Sequence, residues 1–396
     1  MHQKNAAQAW GHSLPSSLAL MAPFDLLASL AMDVYLPVVP QMPIALNTST
    51  ALIQLTLSAY ILMLGVGQLA FGPLSDRIGR RPVVLGGAAL FALASFCLAT
   101  ARDGETFLAL RVLQALGASA ALVGTFATVR DVFADTPQGT LIYGLFSSML
   151  AFVPALGPIL GAATAIGFGW RVIFFMLGAL AILALVHAWA RWQETRPPIR
   201  RRQAPGVSSM LGNRSFRVYT LGFSTAMGAF FVFFSIAPRV LIDRAGLNPV
   251  SFSLAFASVA LVMIMAARLV GPAVGKWGVA GCFVRGIVVI SAGAIVLAAF
   301  SIFAKPHFVS FVMPMWLIAI GIVLVVSVAA NGALRDFAEA AGTGVALYYC
   351  VQSLIVSGLG TVSILALDGA SPWPLVAYCL VMSAASLAGH AALTRV

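Results

Sequence analysis

The chain has 396 residues, 61% hydrophobic and only 9% charged, with a mean hydropathy of +0.98. Soluble proteins carry about 25% charged residues, so this chain cannot cover a water-facing surface. A soluble enzyme or nucleic-acid binder is excluded, and the net charge of +11 needs another explanation.

The polar start, Met1 to Ser16, lacks the positively charged lead of a secretory signal, so the first apolar run reads as a retained span. Apolar runs predict helices over Ser17–Val39, Ala51–Phe71, Val83–Ala101, Phe107–Val129, Thr140–Ile166 and Val172–Ala190. A second set follows over Phe216–Ala237, Ser251–Val270, Phe283–Ala304, Phe308–Asn331, Thr343–Leu367 and Trp373–Leu393. At about 21 residues per span they use about two-thirds of the chain, leaving too little for a soluble domain. Lipid offers no partner to a bare backbone N–H or C=O, so runs of this kind must be helical. The predicted class is an all-α polytopic membrane protein with twelve spans. Cys97, Cys282, Cys350 and Cys379 lie in apolar runs at unrelated spacings and read as small buried hydrophobes, with no disulfide frame or metal site.

With the N-terminus in the cytoplasm, only Arg102, Arg171, Arg239, Arg244 and Lys305 among the 23 Lys and Arg lie outside, and Arg111 lies within the membrane. The rest, including Arg77, Arg80, Arg81, Arg130, Arg200, Arg201, Arg202, Lys276 and Arg335, are cytoplasmic. This bias predicts both termini inside, and the basic excess becomes an orientation device. A basic loop with Pro197, Pro198 and Pro205 splits the spans six and six. The expected division is a bundle over 1–190, a linker over 191–215 and a second bundle over 216–396. The octet Gly72-Pro73-Leu74-Ser75-Asp76-Arg77-Ile78-Gly79 is echoed half a chain later by Gly271-Pro272-Ala273-Val274-Gly275-Lys276-Trp277-Gly278. Two parallel six-helix repeats are the architecture of alternating-access carriers, which place their site at the repeat interface near the midplane.

The segment from Gly72 to Pro82, with Asp76, Arg77, Gly79, Arg80 and Arg81, resembles the signature between helices 2 and 3 of major facilitator superfamily transporters. The resemblance covers nearly the whole chain and implies two pseudo-symmetric bundles. It also implies that Asp76 sits near the cytoplasmic N-terminus of helix 11, where a negative charge is favourable, and leaves it during the switch. The plainer alternative is a set of orienting arginines with a capping Asp. Arg111, Gln114, Gly117 and Ala118 resemble the family's helix-4 signature, departing at Ala115. Pro154, Gly157, Pro158 and Gly161 resemble the helix-5 signature of antiporters, departing at Val153; an ordinary proline kink is the alternative. Gly72, Asp76, Arg77, Gly79, Arg80, Arg130, Gly157 and Pro158 are the expected gating residues. More specific segments are similar to the bacterial phenicol exporters: Met21–Asp33, Thr125–Asp131, Phe230–Pro238 and Asn331–Leu334. That similarity implies a bacterial inner-membrane drug:proton antiporter acting on chloramphenicol and florfenicol and conferring resistance to them.

Of twelve acidic residues only Asp25 and Asp33 are embedded, both in helix 1. A central Asp costs roughly 2.5–3.5 kcal/mol on insertion scales, so two in one helix need a reason. Eight positions at 100° leave them about 80° apart around the helix and about 12 Å apart along it, so they can share a face without touching. Depth pairs Arg111 with Asp33 and leaves Asp25 as the main proton- and substrate-responsive acid; a structural polar cluster is the alternative. Leu57, Ile61, Phe231, Phe234, Asn331 and Gln352, with both acids, are the candidate pocket residues. For each wall residue ordinary packing or lipid contact is the leading alternative, and for the two amides an interhelical hydrogen bond is an equal one. No phosphate-binding loop or metal spacing occurs. The expectation is therefore a monomeric carrier, not an enzyme, with no cofactor or metal and with drug, protons and lipid as partners. Other substrates (bicyclomycin- or sulfonamide-like drugs, cationic dyes, polyamines) and an uncoupled facilitator are the rival readings.

Overall fold

The computed structural model describes residues 10–133, 137–196, 207–303, 307–337 and 341–394. The first nine residues, Pro197, Pro198, Arg200, Arg201, Arg202 and Pro205 of the linker, and Lys305 lie outside them. Every regular element among the described residues is helical. The chain divides into two compact units, Met1–Arg202 and Gln203–Val396.

The first unit contains α1 (Leu14–Asp33), α2 (Thr50–Ile78), α3 (Arg80–Thr100), α4 (Gly104–Phe133), α5 (Pro137–Phe168) and α6 (Trp170–Arg191). The second opens its long helices with α7 (Arg214–Pro238). A run of 55 residues, Pro249–Phe303, follows and leaves helical geometry at Gly278; its limbs, 249–277 and 279–303, are α8 and α9. α10 (Phe308–Leu334), α11 (Ala341–Ala366) and α12 (Trp373–Thr394) complete it. Among the described residues, ten helices are long and apolar enough to cross a membrane. The bent run serves as two, and α5, with its apolar stretch Phe152–Phe168, brings the set to twelve. The chain is an all-α polytopic membrane protein.

The helices overrun the expected boundaries at their polar ends. α2 continues through Gly72–Ile78, including Pro73, where a loop was expected. Hydropathy marks only the stretch that lipid covers, whereas a helix persists into the interface as long as its backbone bonds are made. The turn between α2 and α3 is therefore a single residue, Gly79, at φ 111° and ψ 163°. Gly278 repeats the geometry at φ 67° and ψ 179°. Both lie in a region that is essentially glycine-only, so the octet repeat is also a repeat of backbone conformation. α1 is shorter than expected: it ends at Asp33, and Leu36–Gln41 forms a 3-10 helix containing Pro37 and Pro40. Proline supplies no N–H, which breaks the α-helical ladder there.

Within the first unit, small residues set the distances between helices. A Cβ on Gly117 of α4 would lie 2.5 Å from Phe91 N of α3. A Cβ on Gly161 of α5 would lie within 2 Å of the Val34 carbonyl oxygen. Such approaches give helices in lipid the packing that the hydrophobic effect cannot supply. In the second unit the core is aromatic: Phe233 stacks on Phe256 at 5.3 Å and on Phe311 at 5.6 Å.

Candidate functional site

The embedded charges all lie in the first unit. Arg111, on α4, is completely buried. One of its terminal nitrogens, Nη1, donates to the Ala31 carbonyl oxygen of α1 at 3.0 Å and to Gln114 Oε1 at 2.6 Å. Gln114 Nε2 in turn donates to Ser95 Oγ of α3 at 2.8 Å. The guanidinium carbon lies 4.4 Å from the Tyr60 ring centroid and 5.3 Å from that of Tyr35. Tyr60 is itself fixed, its hydroxyl donating to the Ala28 carbonyl oxygen at 2.8 Å. Arg111 is thus lodged between two rings and the α1 backbone, with Nε and Nη2 lacking hydrogen-bond partners.

This geometry differs from the expected Asp33–Arg111 ion pair: among the described residues no carboxylate lies within 4.0 Å of Arg111. Asp33 is the last residue of α1 and faces α5, where a Cβ on Gly157 would come within 2.6 Å of its own Cβ. Arg111 meets α1 from α4, on another side and at a backbone oxygen. Arg111 reaches α1 two residues before Asp33, but position along a helix axis carries no information about azimuth. Asp33 sits at the negative end of its helix dipole, which disfavours a carboxylate. Asp25, two turns earlier, is 2% exposed, and its Oδ2 has no hydrogen-bond partner. Two buried carboxylates and one buried guanidinium, none in an ion pair, form an expensive arrangement of the kind that marks function in membrane helices. Its chemical capability is to change charge by taking or releasing a proton.

Of the expected gating residues, Asp76, Arg77 and Arg80 flank the Gly79 turn, whereas Gly157 and Pro158 lie on α5. Arg80, 2% exposed, donates from Nη1 to Asp76 Oδ1 at 2.5 Å and to Ser75 Oγ at 3.1 Å. Its Nε donates to Asp131 Oδ2 at 2.7 Å. Of the neighbouring expectation at the end of α4, Arg130 points out at 51% exposed while Asp131 points in at 6%; the inward acid, missed from sequence, is the ion-pair partner of Arg80. Arg77 is exposed, and its carbonyl oxygen accepts from the Arg196 guanidinium. Gly72 meets nothing that would exclude a side chain. Pro158 is buried beside Gly157 in α5.

Leu57 and Ile61 belong to the first unit, and Phe231, Phe234, Asn331 and Gln352 to the second. Leu57, Phe231 and Phe234 are buried in their own units. Phe231 meets α11, within 3 Å of where a Gly360 Cβ would stand, and Phe234 packs on Phe256 at 5.9 Å. Gln352 is buried, Ile61 half-buried, and Asn331 exposed in the last turn of α10. Tyr35, Tyr60 and Asp131 are the residues beside the buried charges that sequence reasoning missed. Tyrosines inside apolar runs carry no local mark of a cation beside them, and a loop-end acid looks like any solvated charge.

Three buried charges outside any ion pair among the described residues already narrow the field, and comparison with known proteins decides it. The model for the Major Facilitator Superfamily matches residues 24–361. The chain belongs to the Major Facilitator Superfamily. It is 47% identical over 399 aligned positions to a "Chloramphenicol resistance protein" of Pseudomonas aeruginosa, covering all of this chain and 94% of that one. It is 34% identical to the uncharacterized MFS-type transporter YdgK of Bacillus subtilis (strain 168), over 64% of each chain. It is 29% identical to the "Multidrug resistance protein MdtL" of Shewanella oneidensis, over 59% of this chain and 60% of that one. Among solved structures, a peptide transporter POT in complex with sulfate shares the fold with a TM-score of 0.79 at 13% identity, covering 100% of this chain and 98% of that one.

Proposed function

We propose that this member of the superfamily exports small amphipathic drugs, chloramphenicol and florfenicol foremost, by drug:proton antiport across the bacterial inner membrane. The observation that carries the reading is the end-to-end 47% identity with a chloramphenicol resistance protein. The burial of Asp25, Asp33 and Arg111 outside any ion pair among the described residues supports proton coupling. In this reading both termini are cytoplasmic, as the distribution of basic residues predicts, and the protein works as a monomer.

Asp25 binds a proton when drug has left and releases it before drug returns, so that one site serves both in turn. Asp33 titrates where α1 meets Gly157 of α5, so its charge acts on the α1–α5 contact. Arg111 holds the Ala31 carbonyl oxygen and keeps α1 in register while those charges change. The Arg80–Asp76–Asp131 cluster keeps the Gly79 turn closed until α2 and α3 move. Alternating access then needs neither ATP nor a cofactor. One proton entering down an inside-negative potential of about 150 mV contributes about 3.4 kcal/mol, which supports roughly a 300-fold gradient of a neutral drug. The protein acts as a carrier with no chemical step.

The test is uptake of labelled chloramphenicol by everted vesicles, with and without a proton uncoupler. Uptake that the uncoupler abolishes is the expected result. Uptake that survives it would point to an uncoupled facilitator, and absence of uptake with transport of cationic dyes would move the substrate class.

A further inference from the structure

The segment that follows α6, Trp192–Arg196, belongs to no signature, yet it is bound to the Gly79 turn at several points. Glu194 Oε1 accepts from the backbone N–H of Arg80 at 2.8 Å, and its Oε2 accepts from that of Arg81 at 3.2 Å. Oε1 also accepts from Thr195 N at 3.0 Å and Arg196 N at 2.9 Å, which folds the segment around its own carboxylate. The Arg196 guanidinium donates back to the Arg77 carbonyl oxygen, and Arg81 Nη2 donates to the Trp189 carbonyl oxygen of α6 at 2.9 Å. A Cβ on Gly79 would stand 2.3 Å from Glu194 Oε2, so the turn is shaped to admit this carboxylate as well as to adopt its own φ. Two residues earlier Trp192 is buried edge-on against Phe24, ring centroids 5.8 Å apart. Phe24 immediately precedes Asp25.

The first N–H groups of any α-helix have no partner within it and are normally met by a residue just upstream. Upstream of α3 stands only Gly79, which has no side chain, and the side chain that does the work comes from more than a hundred residues later. A carboxylate there is favoured twice, by charge-assisted hydrogen bonds and by the positive end of the helix dipole.

We propose that Glu194 is a positioning residue of the transport cycle. It caps α3 and clamps the start of the central linker to the turn that carries Arg80, while Trp192 ties the same clamp to α1 beside Asp25. The segment thereby joins the helix of the proton-binding acid to the gating turn within one unit. Its cap fixes the register of α3, and with it the direction in which Arg80 reaches Asp76 and Asp131. This role rests on the transport reading given above.

Two measurements on the full-length protein test it: efflux kinetics in everted vesicles, and hydrogen exchange of the Arg80 and Arg81 amides in the purified protein. In Glu194→Ala these amides lose their acceptors, and exchange there accelerates about tenfold, the weight of a charge-assisted hydrogen bond. Vmax for chloramphenicol falls about tenfold while KM stays within about twofold, because drug binding is untouched and the switch is not. Glu194→Gln keeps one acceptor oxygen and falls between wild type and Glu194→Ala in both measurements. If only the glutamine variant reaches the membrane, a reduced Vmax at unchanged KM upholds the proposal, and a wild-type Vmax overturns it. Faster exchange with wild-type Vmax in Glu194→Ala would reduce the segment to an anchor and overturn the proposal. Unchanged exchange would overturn the cap itself. Failure of the transport reading shows separately, as absence of efflux in the wild type.

Discussion

Replacing Arg80 by Met tests whether a buried ion pair holds the gating turn. The side chains of Arg80 and Asp131 are 2% and 6% exposed and meet at 2.7 Å, whereas Asp76 is 63% exposed. Removing the guanidinium leaves the buried Asp131 carboxylate only the exposed Arg130, whose Nε lies 3.8 Å away, a loss of about 3–5 kcal/mol for a broken buried pair. The Asp76 contact is screened by solvent and adds at most about 1 kcal/mol. For a unit of about 200 residues each kcal/mol moves the unfolding midpoint by about 2–4 °C. The apparent Tm of the purified protein should therefore fall by about 6–20 °C. The companion variant Arg80→Met/Asp131→Leu removes both charges, and a pair replaced by apolar side chains of similar volume is close to neutral. It should regain most of the lost Tm and none of the transport, because the pair is then stable without being able to open. The assay is a thermal melt in detergent alongside vesicle efflux. If the double variant melts no higher than Arg80→Met, the loss comes from packing and not from a stranded charge. If Arg80→Met melts within about 2 °C of wild type, the pair is not buried in the sense argued here.

Asp25→Asn should abolish proton-driven efflux while leaving the melt unchanged or raised, since a buried carboxylate is replaced by an isosteric neutral group; near-normal, uncoupler-sensitive efflux would sink its assigned role. Tyr60→Phe removes the hydroxyl on the Ala28 carbonyl oxygen, which keeps its bond within α1, and should cost about 0.5–1.5 kcal/mol while keeping the ring beside Arg111. Its melt, compared with that of Tyr60→Leu, separates hydrogen bond from ring. Gly161→Leu should prevent assembly of the first unit, because the Val34 carbonyl oxygen already occupies the place of its Cβ; monodisperse protein in size-exclusion chromatography would contradict this. Arg244→Gln breaks a surface pair whose members are 57% and 53% exposed and should change stability by under about 1 kcal/mol, a negative control on the same melt.

Composition alone determined the class of this protein. A 9% charged chain has no option but lipid, lipid demands helices, and the octet repeated at half the chain's length announces two related units. Asp25, Asp33 and Arg111 were legible for the same reason, since a charge in an apolar run is visible without any fold. Hydropathy could not say where the helices end, because it registers lipid contact and not backbone bonding. α2 thus ran through its own signature to a one-residue turn at Gly79. Nor could sequence say which side of a helix each charge faces: Asp33 went to α5, Arg111 to two tyrosine rings and a carbonyl oxygen. Arg130 and Asp131 are neighbours in the chain, yet one points out and the other in, a choice made by Arg80 lying inside the fold. Glu194 is the clearest case of what only the tertiary structure decided. Its partners are backbone N–H groups that every residue but proline possesses, so nothing in their side chains could name it. Only the fold brings that carboxylate to the end of α3.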